Sequence, residues 1–161
     1  MTDSREKGKR GEYQVRDKLR QVTGLSEWER VPGSGAFGQN HGLKGDVYLP
    51  ATCEYRSKYC IEVKWYAGDN ISSNLLNATE SILEKWWSQT VREAEQMHMR
   101  PLLVFKKDRG DWLIALSTDD PLVDILFVSP HIILGKGGFE IVIGNFDKWV
   151  GFNRSLMLEK K

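Results

Sequence analysis

A chain of 161 residues with 40% hydrophobic content has the length of one domain and enough apolar side chains for a single sizeable core. No apolar run approaches the roughly twenty residues of a membrane span, the Met1 to Arg10 segment is charged where a signal peptide turns apolar, and Cys53 and Cys60 lack partners at zinc-ligand spacing; membrane, secreted disulfide-rich and structural-zinc classes are excluded, leaving a soluble, intracellular (cytoplasmic) protein with reduced thiols. The net charge of +1 offers phosphates no overall attraction, so any affinity must come from distribution: Arg5, Lys7, Lys9, Arg10, Arg16, Lys18 and Arg20 crowd the start of the chain, as one basic face or as an ordinary solvated helix surface.

In chain order, the spacing of Val15, Leu19 and Val22 predicts a helix over about Ser4 to Val22, with Gly24 as its stop. Glu12 falls on the apolar side of that helix, where a carboxylate is costly to bury unless it is paired, metal-bound or opening into a cleft. Gly8 and Gly11 flank it. Each glycine weakens a helix by about 1 kcal/mol relative to alanine, so something is expected to approach the backbone closely there.

An extended piece, Trp28 to Val31, leads into Pro32-Gly33-Ser34-Gly35-Ala36-Phe37-Gly38, a small-residue loop that either connects strands or closes over a ligand. Asp46 to Leu49 reads as a short strand and Tyr59 to Trp65 as a longer one, with Pro50 to Lys58 as the turn between them. A helix is expected over about Ser81 to Met97, burying Ile82, Trp86, Ala94 and Met97, with Pro101 at its exit. The Trp86-Trp87 pair reads as core and interface, not as a base-stacking platform. Leu102 to Phe105 is a continuous apolar run, as in a strand covered on both faces, and Asp111 to Leu116 is its hairpin partner across Asp108 to Gly110. Beyond it are expected a short helix over Pro121 to Phe127, strands at Ile132 to Leu134 and Glu140 to Ile143, and a frayed tail at Glu159 to Lys161. One domain thus spans 1–161, with its core in about 4–107 and further strands and a short helix in 111–157.

Along Cys60-Ile61-Glu62-Val63-Lys64, side-chain alternation points Glu62 and Lys64 to one face and Ile61 and Val63 to the other. Asp46 opens the preceding strand, and pairing of the two strands brings its carboxylate beside Glu62. Two carboxylates at that distance repel unless a cation sits between them, and all-oxygen ligation suits magnesium or manganese better than zinc. Each residue also has an ordinary reading: Glu62 and Lys64 as exposed strand residues, Asp46 as a turn residue after Gly45, Glu12 as a surface acid. Together and in this order, they are the parts required for metal-assisted hydrolysis of a phosphodiester. His41 and His98 have no partner at ligand spacing and are expected at the surface.

The order of Asp46, then Glu62-Val63-Lys64, resembles the PD-(D/E)XK nucleases, whose core runs helix, three strands, helix, strand. Lys7-Gly8 through Gly11-Glu12, Arg30-Val31-Pro32 with Ser34-Gly35, Gly45-Asp46 and Ile61-Glu62-Val63-Lys64 further resemble the archaeal-type Holliday junction resolvases, which also occur in viruses. Gly45 stands where the motif has proline, the stretch from Ser34 to Asp46 is long, and the part from Asp111 onward is not distinctive.

The resemblance implies an α/β fold with a restriction-endonuclease-like core, a central mixed sheet flanked by helices. It implies that Asp46, Glu62 and the Val63 carbonyl hold Mg2+, with Mn2+ as a substitute, that Glu12 serves a second ion or its waters, and that Lys64 orients and polarises the attacking water. Ser34 would contact the phosphate near the cut, and Gln89 either reaches toward the site, as in related nucleases, or faces solvent. Lys7, Lys9, Arg10, Arg30 and Lys44 would grip the DNA backbone without reading bases. The implied substrate is a four-way DNA junction, cut in recombination and repair by a two-fold homodimer whose interface could come from Ile132 to Leu134 and Ile141 to Ile143. A restriction-like or repair endonuclease acting on duplex or flap DNA is the alternative, and a DNA-binding module without turnover is a further one.

Overall fold

The structure, a computed structural model, describes residues 4–32, 42–77 and 79–161. Helix α1 (Ser4–Thr23) precedes strands β1 (Glu29–Arg30), β2 (Val47–Tyr48), β3 (Tyr55–Ser57) and β4 (Tyr59–Tyr66). A 3-10 turn (Ser73–Leu76) leads to helix α2 (Ile82–Met97) and strands β5 (Arg100–Lys107) and β6 (Leu113–Ser117). Then come the short helix α3 (Asp124–Phe127), strands β7 (Ile132–Lys136) and β8 (Phe139–Asn145), helix α4 (Phe146–Phe152) and strand β9 (Leu158–Lys160).

Seven strands form one mixed sheet in the order β1-β2-β4-β5-β6-β8-β7. Among the described residues, only β4 and β5 run parallel in it. A parallel pair needs a long crossover, and α2 supplies it, which places that helix against one face of β4 and β5. Helices α1 and α4 cover the other face, so the expected α/β arrangement of a mixed sheet flanked by helices is what the chain adopts.

Strand alternation divides the core in two. Ile61, Val63, Leu102 and Val104 pack with Val15 and Leu19 of α1 and Trp149 of α4, while Leu103 and Phe105 pack with Leu83 and Trp87 of α2. This explains the unbroken apolar run of β5: both its faces are covered. Glu62 and Lys64 alternate with Ile61 and Val63 and therefore lie on the α2 side. On the α1 side, a Cβ at Gly11 would stand 3.2 Å from Trp112 Cη2 and 3.4 Å from Trp65 Cε3, so the helix backbone is indeed closely approached there. Gly8 is different, with nothing within 4 Å of its Cβ position.

Several expectations need correction. The segment Pro50 to Lys58 is more than a turn, since it contains β3, and Glu159 to Lys161 is not frayed: Tyr55 pairs with Lys160, Ser57 with Leu158, and the Lys161 N–H donates to Glu54 O at 3.0 Å. This small ribbon is held by backbone bonds, which leave no apolar pattern to read. In α2 the buried residues are Leu83, Glu84, Trp87, Thr90 and Ala94, whereas Ile82, Trp86 and Met97 are only half-buried. The capping box between Ser81 and Glu84, with Lys136 Nζ 2.7 Å from Glu84 Oε2, turns a charged residue inward and rotates the apolar face by about one position from that expected. Helix α4, capped by the Asn145 side chain accepting from the Lys148 N–H, was not anticipated. Pro101 lies inside β5, paired with Cys60, and not between helix and strand.

Candidate active site

Gly45 has φ +87°, and a Cβ there would meet the Ile61 carbonyl oxygen at 3.0 Å. Only glycine lets the chain turn this tightly against β4. The turn delivers Asp46, whose N–H donates to Ile61 O at 2.8 Å and whose carbonyl accepts from the Val31 N–H at 2.9 Å. Its side chain is fixed as well, because Oδ2 accepts from the Val63 N–H at 2.8 Å. Asp46 is thus held by three backbone bonds at the point where β2 meets β4.

Glu12 reaches this carboxylate from α1. Burial, and then the neighbouring charge of Asp46, push its pKa up to about 7, against the pull of Arg30, whose Nε donates to Glu12 Oε2. Burial also raises Asp46, opposed by the Val63 N–H and by the charges of Lys64 and Arg30. Both acids are thus held toward the protonated form, with burial as the main cause in each.

On the α2 side of β4, Glu62 is 2% exposed. Lys64 Nζ donates to Gln89 Oε1 at 3.0 Å, so Gln89 turns toward the sheet and not to solvent. Glu93, one helical turn further on, was not anticipated. Burial and the charge of Asp46 raise its pKa, while Lys44 and the Gly45 N–H lower it, which places it beside the turn that carries Asp46. Its signal was present as the i, i+4 spacing from Gln89 on one helix face.

These donors suit a hard divalent cation: the oxygens belong to carboxylates, and burial makes both Glu12 and Asp46 resist ionisation unless a positive charge joins them. Among the described residues, no three acidic, histidine or cysteine side chains gather closely enough to hold an ion, and Arg30 supplies the positive charge at Glu12. The donor chemistry fits, with Glu12 supplied by α1, Asp46 by the turn before β2 and Glu62 by β4.

Ser34 and His41 lie outside the described residues. The basic run of α1 is not one free face. Lys7 bonds Asp108 at 2.8 Å, Arg16 bonds Asp17, Lys18 bonds Asp147, and Arg20 bonds Glu29. Lys9 and Arg10 are exposed, the Arg10 guanidinium lying 5.3 Å from the Trp65 ring centroid. Arg30 belongs to the acidic cluster, and Lys44 faces Glu93. Lys44, Tyr48, Arg56, Lys58 and Arg100 line a cavity of about 880 Å3 that none of Glu12, Asp46, Glu62 or Lys64 borders. His98 is exposed and ends α2 in the left-handed conformation, φ 56°. Cys53 and Cys60 are buried free thiols, and burial pushes Cys60 up to about 12.

Comparison with known proteins shows the family. A family model described as "Phage putative PDDEXK endonuclease" matches residues 3–159. "Protein D14" of Escherichia phage T5 is 68% identical over 148 residues, which is 92% of each chain. No solved structure matches. Among the described residues, no helix is long and apolar enough to cross a membrane.

Proposed function

The chain belongs to the phage PD-(D/E)XK endonuclease family, and we propose that Glu12, Asp46, Glu62 and Lys64 form the active site with which it hydrolyses DNA phosphodiester bonds. The observation that carries this is the Asp46 turn. Its carboxylate is bound to the Val63 N–H between Glu62 and Lys64, so the acid just before β2 and the acid and lysine of β4 share one strand junction, which Glu12 closes from α1.

Asp46, Glu62 and the Val63 carbonyl would hold a divalent ion, Mg2+ with Mn2+ as a substitute, and Glu12 would serve a second ion or its waters. When bound, the ion supplies Lewis-acid charge that acidifies water and stabilises negative charge developing on the phosphate. Lys64, steadied by Gln89, orients and polarises the attacking water. Ser34 contacts the phosphate near the cut, while Lys9, Arg10 and Lys44 bind the backbone on either side. Lys7 and Arg30 join them only by leaving Asp108 and Glu12.

Among DNA targets we favour a four-way junction cut symmetrically by a homodimer in the infected cell. The motif likeness to junction resolvases supports this, as does the edge strand β7, where Ile132 and Ile133 are 64% and 51% exposed and offer apolar surface to a second copy. Cleavage of a matched four-way junction, flap and linear duplex, with and without Mg2+, tests the choice. Paired symmetric nicks in the junction are expected. Equal cutting of duplex and junction would instead make it a restriction-like or repair endonuclease.

A further inference from the structure

A lysine ammonium only donates hydrogen bonds, so Lys64 must meet the carbonyl end of the Gln89 carboxamide, and it does: Nζ is 3.0 Å from Oε1. That leaves the Gln89 amide nitrogen as a donor pointing along the helix. At i+4 on the same face stands Glu93, whose carboxylate only accepts, and its Oε1 is 3.5 Å from Gln89 Nε2. This contact is long for a hydrogen bond and correspondingly weak. The second oxygen, Oε2, is buried and without a hydrogen-bond partner among the described residues, although α2 is otherwise well satisfied there. Such an atom costs stability. A plain helix glutamate turned to solvent would avoid that cost.

We propose that Glu93 is a positioning residue for the hydrolysis: by accepting from the Gln89 amide nitrogen it tethers the far end of the carboxamide, keeps its carbonyl turned toward Lys64, and so holds the ammonium in place. Without an acceptor at position 93 the amide nitrogen is untethered, and the side chain is free to swing its carbonyl away from the ammonium. Lys64 then loses its anchor. The inference rests on the nuclease reading for its catalytic consequence, though not for the geometry itself.

Two measurements test it on the full chain. In the first, kcat and KM for DNA cleavage in Mg2+ are compared for wild type, Glu93→Leu, Glu93→Gln, Gln89→Leu and the Gln89→Leu/Glu93→Leu double variant. Misplacing a catalytic group by an ångström costs up to about a hundredfold, so Glu93→Leu should lower kcat by about tenfold or more with little change in KM. Glu93→Gln, whose carbonyl still accepts, should recover most of that loss. The double variant should be no worse than Gln89→Leu alone, because the two act as one unit. In the second, the Gln89 side-chain amide pair is followed by 15N–1H NMR, assigned by its loss in Gln89→Leu. It should shift in Glu93→Leu and return toward its original place in Glu93→Gln. Additive losses in the double variant, or an amide pair unmoved by Glu93→Leu, would overturn the proposal. A wild-type chain that cuts no DNA would overturn the nuclease reading instead, and the amide measurement would still decide the role of Glu93.

Discussion

The Asp46 carboxylate accepts a hydrogen bond from the Val63 N–H at 2.8 Å, so the acid proposed to hold the metal ion is also a structural link between the start of β2 and β4. The two duties separate by mutation. In Asp46→Asn the amide carbonyl can still accept from Val63 while the charge is gone, and the variant should fold with nearly wild-type stability yet cleave no DNA. Asp46→Ala strands the N–H and should cost about 1–3 kcal/mol as well. Urea unfolding alongside a cleavage assay checks both, and an Asn variant as unstable as the Ala variant would remove the link.

The pH dependence of stability follows from Glu12. Its folded pKa, about 7, lies above the unfolded value near 4.5, so between those values the folded chain retains a proton that the unfolded chain has lost. Stability should therefore fall as pH rises through that window. Asp46, Glu93 and Asp120 are also raised and act in the same direction, whereas Glu84 and Asp108 are lowered and matter only in more acidic solution. Denaturant unfolding of metal-free protein at pH 5 and pH 8 measures this, and Glu12→Gln should flatten the difference. Stability that rises across the window would contradict the buried acid pair.

Three glycines give contrasting outcomes. Gly45→Ala forces a side chain into a left-handed conformation against the Ile61 carbonyl and should cost about 1–2 kcal/mol, with a loss of cleavage because Asp46 moves with the turn. Gly11→Leu should cost about 1–3 kcal/mol by overpacking against Trp112 and Trp65. Gly8→Ala meets open space in the same helix and should gain up to about 1 kcal/mol. Thermal unfolding of the three variants ranks them.

Much of this was legible in the sequence where one local rule decides. Alternation along Glu62-Val63-Lys64, the helical repeat through Val15 and Leu19, and the apolar run of β5 each translate directly into a buried face. What stayed hidden depends on partners distant in the chain. The ribbon of Tyr55–Ser57 and Leu158–Lys160 is made of backbone bonds between segments a hundred residues apart, and the rotation of α2 depends on Lys136 meeting Glu84. The same holds within the site. Glu12 was legible as a carboxylate on the wrong side of a helix, but Arg30 as its partner and Glu93 beside Asp46 become apparent only once three elements converge.

The most direct measurement is DNA cleavage by wild type and by Glu62→Gln, in Mg2+ and in excess chelator, with DNA binding measured in Ca2+ for both. Wild type should cut only in Mg2+, and Glu62→Gln should bind DNA about as well as wild type while failing to cut, since the basic side chains are untouched and the buried acid of the site is gone. Cutting by Glu62→Gln at the wild-type rate, or cutting by wild type undiminished in chelator, would contradict a metal-dependent nuclease site at the junction of β2 and β4.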